Sequence, residues 1–309
     1  MREFAPGTGL IDLRFQGRDE YIACYVLRTA GGIVLVDPGP SSTRAALEEG
    51  LRLAGLSLDA VTDVLLTHIH LDHAGATGSI VRDHPHIRVH VHGRGARHMA
   101  SPERLLASAT RLYGERMDIL WGEFLAVPDT AIHVLEGGET LRLDGRTLDV
   151  EYTPGHASHH VSFFDAAIGL AWVGDTLGIR IDNRAYVLPV TPPPDIDPVA
   201  WRASHAKIRA WSPTVLCPTH FGPARPAAAH IDEHESRLRD WATAVERGVR
   251  AGADPAQTAA DFSRQVQSEI AAALGPDQAG PYAAGGGIAD SWRGLARHYT
   301  KAMEAELRE

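Results

Sequence analysis

Short apolar runs fill the first two thirds of the chain, and most have the length and composition of β-strands. EYIACYVLRT and IVLVD flank Gly31 and Gly32, a pattern typical of a hairpin with a two-residue loop. VTDVLLTH and IRVHVH predict two short strands. Between residues 131 and 173, the segments AIHVL, ETLRL, RTLDVEYT, HVSFFD and GLAWVGD predict further strands separated by turn residues.

Helical spacing of apolar residues appears in the segments between and after these strands. TRAALEEGLRLAG and residues 101–125 predict helices. Residues 176–197 predict a proline-rich loop. The chain changes character after Pro226, where apolar and charged residues alternate at helical spacing over 226–252, 255–274 and 288–307.

Two successive β-rich halves, each with helices, predict a sandwich of two sheets covered by helices. We therefore expect a β-rich domain over residues 1–225 and a helical C-terminal extension packed on it over residues 226–309. In such a fold, the chemistry gathers where the ends of strands meet loops.

The composition disfavours nucleic acids and membranes as binding partners. The net charge of −9 disfavours nucleic acid, and only 2 of the 30 basic residues are lysine. We find no apolar run of ~18 residues that would span a membrane. The N-terminal segment lacks the pattern of a secretory signal, so we expect a cytoplasmic protein acting on a small molecule.

Histidine is the unusual residue of this sequence, with 17 occurrences. THIHLDHAG places four potential metal ligands close together. His68 and His70 alternate by two, so on an extended strand end both imidazoles point to one side. Asp72 and His73 follow on a turn that enters a helix, where their side chains can reach a second point. A buried strand before this cluster and small residues after it argue against a solvated surface cluster.

Three more candidate ligands each follow an apolar strand. His156 lies in TPGHASHH, Asp175 in WVGDT and His220 in CPTHFGP. A lone histidine or aspartate at a strand end is usually structural. Their recurrence after the dense cluster indicates one common metal site.

The run H-x-H-x-D-H, followed by GH, GD and TH, resembles the metallo-β-lactamase-fold hydrolase superfamily, and within it the glyoxalase II-like branch. The motifs span about residues 20–222. This resemblance implies an αββα sandwich, and the domain over residues 1–225 would be the catalytic one. It also implies which residues bind each metal: His68, His70 and His156 the first, Asp72, His73 and His220 the second, and Asp175 both.

Imidazole and carboxylate ligands suit two divalent ions, with zinc favoured and iron or manganese as alternatives. Such ions lower the pKa of bound water toward ~7 and supply a bridging hydroxide for attack on a carbonyl, beside the catalytic carboxylates Asp72 and Asp175. Asp37, in VDPG, either caps the following turn or orients a ligand imidazole; the resemblance favours the second role. We read His159 and His160 as structural.

Several alternatives stay open at this point. Cleavage of an ester, thioester or lactone-type substrate is the leading expectation. A mononuclear-iron enzyme similar to persulfide dioxygenases, a lactonase, and an organophosphate or phosphodiester hydrolase are alternatives. Arg180, Arg184 and Tyr186 are candidate substrate contacts in the loop after Asp175.

The C-terminal extension carries two amphipathic stripes that must be buried. Ile231, Leu238, Trp241 and Val245 form the first, and Trp292, Leu295, Tyr299 and Met303 the second. Burial against the sandwich would make the extension a lid over the site, and burial against another subunit would make a dimer. We favour a homodimer, with the extension contributing to both roles.

Overall fold

The computed structural model of the protein describes residues 1–181, 186–285 and 287–308, without the side chains of residues 278 and 283–285. Two mixed sheets form its centre, one of seven strands and one of five. Helices cover the outer face of each sheet. The predicted αββα sandwich with a helical C-terminal extension is therefore confirmed.

The first sheet follows chain order. Its first four strands pair antiparallel with one another, and each later strand pairs in parallel with the preceding one. Its strands are β1 (Arg2–Ala5), β2 (Thr8–Asp12), β3 (Ala23–Arg28), β4 (Ile33–Val36), β5 (Val61–Leu65), β6 (Arg88–His92) and β7 (Ile132–Leu135).

The second sheet has the order β12-β11-β10-β9-β8, and only β11 and β12 pair in parallel. Its strands are β8 (Thr140–Leu143), β9 (Arg146–Tyr152), β10 (Val161–Asp165), β11 (Leu170–Trp172) and β12 (Val215–Cys217).

Eleven α-helices lie in the described part of the chain, mostly between strands or after the last strand. They are α1 (Arg44–Leu53), α2 (Leu71–Ala74), α3 (Thr77–Asp83), α4 (Gly93–Ala100), α5 (Glu103–Tyr113), α6 (Met117–Trp121), α7 (Pro198–Ala210), α8 (Ala227–Arg250), α9 (Pro255–Leu274), α10 (Pro276–Gly285) and α11 (Ile288–Glu306).

The core has layers because successive side chains of a strand point to opposite faces. In β3, Tyr25 and Leu27 pack between the two sheets, against residues such as Trp172 of the second sheet. Cys24 and Val26 instead face the helices outside the first sheet. This strand is buried on both faces, which explains why its sequence is almost continuously apolar.

Strands β1 and β2 were not predicted from the sequence. They are short, and Pro6 and Gly7 form the tight connection between them. Arg2 of β1 pairs with Leu10 of β2. The pairing depends on contacts with β3, so the local sequence carries little signal for it.

The C-terminal extension forms the helices α8 to α11, of which the sequence did not predict α10. Ile231, Leu238, Trp241 and Val245 of α8 are buried within the chain itself. The first stripe therefore leaves no exposed apolar surface for a second subunit. The homodimer stays a prediction, which light scattering tests. Within the described residues, none of the helices is long and apolar enough to cross a membrane.

Candidate metal centre

The predicted metal ligands meet at one edge of the sandwich, because the strands that precede them end there. His68 and His70 follow β5, and Asp72 and His73 lie on the short helix α2. Asp175 follows β11, and His220 follows β12, which pairs in parallel with β11. His156 lies in the turn after β9. Parallel pairing brings strand ends to the same edge, so distant segments of the chain converge there.

The first cluster consists of three imidazoles. His68 Nε2 lies 2.9 Å from His70 Nδ1, which in turn lies 3.0 Å from His156 Nε2. These three nitrogens lie within 4.8 Å of one another. Three ring nitrogens facing one point offer lone pairs to a single ion, and imidazole nitrogen suits zinc and similar metals.

A second cluster lies beside the first and mixes imidazole with carboxylate. His220 Nε2 is 3.2 Å from Asp72 Oδ2, and His73 Nε2 is 3.9 Å from Asp72 Oδ1. The ligand atoms of these residues also fall within 4.8 Å of one another. His73 is completely buried, so its ring has a fixed place between α2 and the sheet.

Asp175 lies between the two clusters, with one oxygen toward each. Its Oδ1 is 3.4 Å from His73 Nε2 and 3.8 Å from His220 Nε2, while its Oδ2 is 3.6 Å from His156 Nε2. A carboxylate with its oxygens directed at different ligand groups has the geometry of a bridge between two ions. Gly174 makes this approach feasible: at its φ of 47°, a Cβ would lie 2.5 Å from Thr67 Oγ1.

In His156 and His220, the ring nitrogen that points away from the centre has a carbonyl acceptor, which favours one tautomer of each ring. His156 Nδ1 is 2.8 Å from the Val190 carbonyl, and His220 Nδ1 is 2.9 Å from the Tyr21 carbonyl. A carbonyl oxygen only accepts, so these Nδ1 atoms carry the proton. Their Nε2 lone pairs therefore remain available to a metal.

Asp37 organises the buried ends of β4 and β5. Its Oδ2 accepts from Thr67 Oγ1 at 2.7 Å, from Thr219 Oγ1 at 2.7 Å and from His73 Nδ1 at 2.8 Å. Its Oδ1 accepts the backbone N–H of Thr67 at 2.9 Å. Thr67 Oγ1 also lies 3.1 Å from His68 Nδ1, so Asp37 orients ligands of both clusters. Of the two roles considered for Asp37, these contacts favour the second.

The two clusters differ in the charge that their side chains carry. Burial, reinforced by His156, lowers the pKa of His70 to about 3, so this ring is neutral and can act as a ligand. Burial opposes a charge on His73, but Asp175, Asp72 and Asp37 together raise its pKa well above the usual value. Burial likewise opposes a charge on Asp175, yet His73 and His220 hold its pKa well below its usual range. The second cluster thus pairs ionised carboxylates with positive charge.

The donor set fits metal ions. Buried polar atoms normally have hydrogen-bond partners, yet His73 Nε2 and Asp175 Oδ1 have none among the described residues. Both atoms point into the region between the clusters. Divalent ions bound there would satisfy both atoms and balance the carboxylates.

His160 has structural contacts, whereas His159 has a place in the cavity that the sequence analysis missed. His160 Nδ1 lies 3.0 Å from both Thr153 Oγ1 and Thr176 Oγ1, and its Nε2 accepts the N–H of Asp175 at 3.3 Å. The ring of His159 lies 5.7 Å from that of His70 and lines the cavity above the centre. The HASHH run alone does not tell these neighbours apart.

The predicted substrate contacts in the loop after Asp175 need correction. Tyr186 is only 1% exposed and packs against Tyr282, with Arg237 3.8 Å from its ring centre. It does not line the cavity, because β-type pairing of Ile179 with Leu188 turns this stretch into the core beneath α8. Arg180 does not line the cavity either, and Arg184 lies outside the described residues.

The later part of the same loop does reach the site. Val190 and Pro192 to Pro194 line a cavity of about 1330 Å³ that is also lined by the candidate metal ligands His70, Asp72 and His220. Gly287 and Asp290, at the start of α11, line it as well. The cavity wall therefore includes both the loop and the C-terminal extension.

Comparison with known proteins supports the same assignment. The profile described as "Metallo-beta-lactamase superfamily" matches residues 17–220, more than half of the chain. A metallo-beta-lactamase fold-containing protein of Sulfurisphaera tokodaii is 26% identical over 222 residues, which cover 71% of this chain and 79% of that protein. A hydroxyacylglutathione hydrolase of Aeromonas salmonicida is 28% identical over 159 residues. That match covers 52% of this chain and 47% of the relative, so the chain spans about half the length of this hydrolase.

A solved structure extends the likeness of fold to the C-terminal helices. The metallo-beta-lactamase family protein from Thermus thermophilus superposes with a TM-score of 0.70 and 22% identity, covering 97% of this chain and 94% of that one. The chain therefore belongs to the metallo-β-lactamase superfamily of metal-dependent hydrolases, and its distant relatives include proteins named hydroxyacylglutathione hydrolase (glyoxalase II).

Proposed function

We propose that this protein is a binuclear-metal hydrolase that cleaves an ester, thioester or lactone bond in a small molecule. The observation that carries the proposal is the position of Asp175, whose two oxygens face different clusters of ligand atoms. A mononuclear site would need only the first cluster. The presence of a complete second cluster, Asp72, His73 and His220, favours two ions.

Each ligand has a defined part in this proposal. His68, His70 and His156 would hold the first ion, Asp72, His73 and His220 the second, and Asp175 both. Zinc is the favoured metal, with iron and manganese as alternatives. When bound, such ions lower the pKa of water toward ~7 and polarise a substrate carbonyl.

The protein itself orients the ligand rings. Carbonyl groups of Val190 and Tyr21 keep the protons of His156 and His220 on Nδ1. Asp37 accepts the Nδ1 proton of His73, so this nitrogen does not compete for the centre. The completely buried His68 and His73 lie on the protein side of the centre, and the cavity gives access from the other side.

Metal analysis followed by a substrate panel tests the proposal. The purified chain, reconstituted separately with zinc, manganese and iron, is analysed for ions per chain. It is then assayed on matched ester, thioester and lactone substrates, on phosphodiesters and phosphotriesters, and on a persulfide with oxygen consumption recorded. Two ions per chain with hydrolysis of a carbonyl substrate is the expected result.

The alternatives give different results in the same panel. One iron per chain with oxygen consumption would identify an oxygenase and overturn the proposal. Hydrolysis restricted to phosphoesters would keep the metal centre but replace the substrate class. Asp240→Asn is a suitable control, since Asp240 is exposed on α8 and is not among the residues lining the cavity.

A further inference from the structure

Basic side chains line one side of the cavity above the metal centre. Arg94, Arg97 and His98 of α4, together with Arg104 of α5, all line it. Arg94, Arg97 and Arg104, which we call the arginine wall, are exposed in the cavity. The sequence alone does not reveal them, because basic residues are scattered along the chain. Only the fold brings these three together above the histidines.

The arginine wall is continuous with the metal centre. Helix α4 packs directly on the ligand-bearing segment: a Cβ at Gly95 would lie 2.8 Å from Ile69 Cγ2 and 3.5 Å from His159 Cβ. His159 borders His70, and besides burial, nearby His70, His156, His92 and His98 lower its pKa. Besides burial, nearby Arg97 and Arg104 lower the pKa of His98. A substrate at the metals can therefore extend along this wall.

Nothing in the described part of the chain neutralises these arginines by a salt bridge. Arg97 Nε donates a hydrogen bond to His98 Nε2 at 3.3 Å. The guanidinium carbon of Arg94 lies 6.0 Å from the ring centre of Tyr152. Glu136 is an acidic residue beside α4, with Oε1 2.7 Å from where a Cβ of Gly93 would be, and Asp195 and Asp290 also line the cavity. Arginine stays charged at every physiological pH, so the wall presents a positive potential in a chain of net charge −9.

Another part of the lining consists of aromatic side chains, the first of which lies beside His220 of the second cluster. The ring of Tyr21 lies 5.9 Å from that of His220, Phe15 stacks on Tyr21 at 5.7 Å, and Trp121 stacks on Phe15 at 5.4 Å. All three aromatic side chains line the cavity. The cavity therefore offers apolar surface on one side of the metals and cations on another.

We propose that the arginine wall is an anion-binding subsite and that the substrate is an amphiphilic acyl compound. Its anionic group, a carboxylate or a phosphate remote from the scissile bond, contacts Arg94, Arg97 and Arg104. Its apolar part lies along the side of the cavity lined by Tyr21, Phe15 and Trp121. The planar guanidinium group forms paired hydrogen bonds with either oxyanion. This inference rests on the proposed hydrolase function and adds the charge of the substrate.

Matched thioesters separate the two anions. Hexanoyl-pantetheine is neutral, hexanoyl-glutathione adds carboxylates, hexanoyl-coenzyme A adds phosphates, and adipoyl-pantetheine places a carboxylate on the acyl side. We expect kcat/KM for at least one anionic thioester to exceed that of the neutral one by roughly tenfold or more, with the advantage declining as salt is raised. The preferred member identifies the anion and its side.

Substitutions then assign the effect to the wall. Arg97→Ala and Arg104→Ala should each raise KM for the preferred anionic thioester by roughly tenfold and leave the neutral thioester unchanged. Glu136→Gln should act in the opposite direction, since it removes a negative charge beside the wall. Arg111→Ala is the matched control, because Arg111 lies on α5 but does not line the cavity.

A binding measurement keeps the inference separate from the hydrolase proposal. Binding of free glutathione, coenzyme A and adipate to the protein is followed by calorimetry, with Arg104→Ala and Arg111→Ala in parallel. If no substrate is hydrolysed but an anion binds and Arg104→Ala abolishes the binding, the hydrolase proposal fails and the anion subsite stands. The subsite is refuted, while hydrolysis stands, if kcat/KM for the neutral thioester equals that for every anionic one. It is likewise refuted if Arg104→Ala and Arg111→Ala bind the anions with the same affinity.

Discussion

The carboxylate of Asp37 lies 2.8 Å from Nδ1 of His73, on the side of the ring that points away from the metal centre. Asp37 is completely buried and follows β4, whereas His73 lies on α2. The contact therefore joins the first sheet to the helix that carries two ligands. The position of the second cluster of candidate ligands therefore depends on the position of the sheet.

Replacement of Asp37 by asparagine tests this coupling. The amide keeps only one acceptor oxygen for the four donors around Asp37 and carries no charge, so the hydrogen bonds that orient His73 are weakened and the negative charge beside its ring is lost. We expect metal affinity to fall by roughly 10–100-fold while the fold is retained. Competition with a chelator measures the affinity.

Asp165→Asn is a control for the loss of a buried carboxylate. Asp165 is 4% exposed and is paired with Arg146 at 3.0 Å, away from the metal ligands. This control should change stability but leave metal affinity unchanged. Equal affinities for the wild type and Asp37→Asn would show that Asp37 only shapes the turn.

Asp175→Ala tests the bridge itself. The substitution removes both oxygens that face the two clusters, so binding of both ions should weaken and turnover should fall by at least ~100-fold. Asp72→Ala, which alters only the second cluster, should spare the first ion. Metal content per chain and turnover are measured for both variants. Normal metal content with near wild-type turnover in Asp175→Ala would refute the bridging role.

The clustering of the candidate ligands could be predicted from the sequence, whereas the walls of the cavity could not. His68, His70 and Asp72 fall in one short motif after an apolar strand, so local spacing reveals them. Tyr186 was misplaced because adjacency to Asp175 along the chain does not give the direction in which the loop turns. The arginine wall has no local motif: its position depends on how α4 packs on Ile69 and His159.

A histidine pair away from the metal site predicts how stability depends on pH. His205 Nε2 lies 3.0 Å from His234 Nδ1 in the interface of α7 and α8. Burial lowers the pKa of His205 to about 4, with Glu235 opposing and Arg209 reinforcing the shift. In the unfolded chain its pKa is about 6.5. As pH falls from about 6.5 toward 4, the unfolded state therefore takes up the proton first and stability is lost.

His205→Asn removes this titrating group. Between pH 7 and pH 5, the free energy of unfolding of the wild type should fall by about 2 kcal/mol more than that of the variant. Urea unfolding of metal-free protein at the two pH values measures this difference, since the metal ligands then titrate in both proteins. Parallel losses in the two proteins would show that His205 does not contribute.

The last prediction concerns the contact between the C-terminal extension and the substrate wall. Thr191 donates from Oγ1 to the carbonyl of Ser291 at 2.9 Å, and its N–H donates to Ser291 Oγ at 3.3 Å. A Cβ at Gly294 would overlap the carbonyl oxygen of Thr191. Helix α11 therefore holds the start of the Pro192 to Pro194 segment that lines the cavity.

Gly294→Ala should consequently lower stability and change KM while metal content stays normal. Helix propensity alone acts in the opposite direction, because alanine stabilises a helix interior by about 1 kcal/mol over glycine. Gly280→Ala on α10 is the matched control, since a Cβ there meets nothing within 4 Å. Thermal unfolding and steady-state kinetics compare the two variants. If both variants were more stable than the wild type and KM were unchanged, α11 would not position the wall. The loop at Thr191 would then have moved to make room for the new methyl group without changing substrate binding.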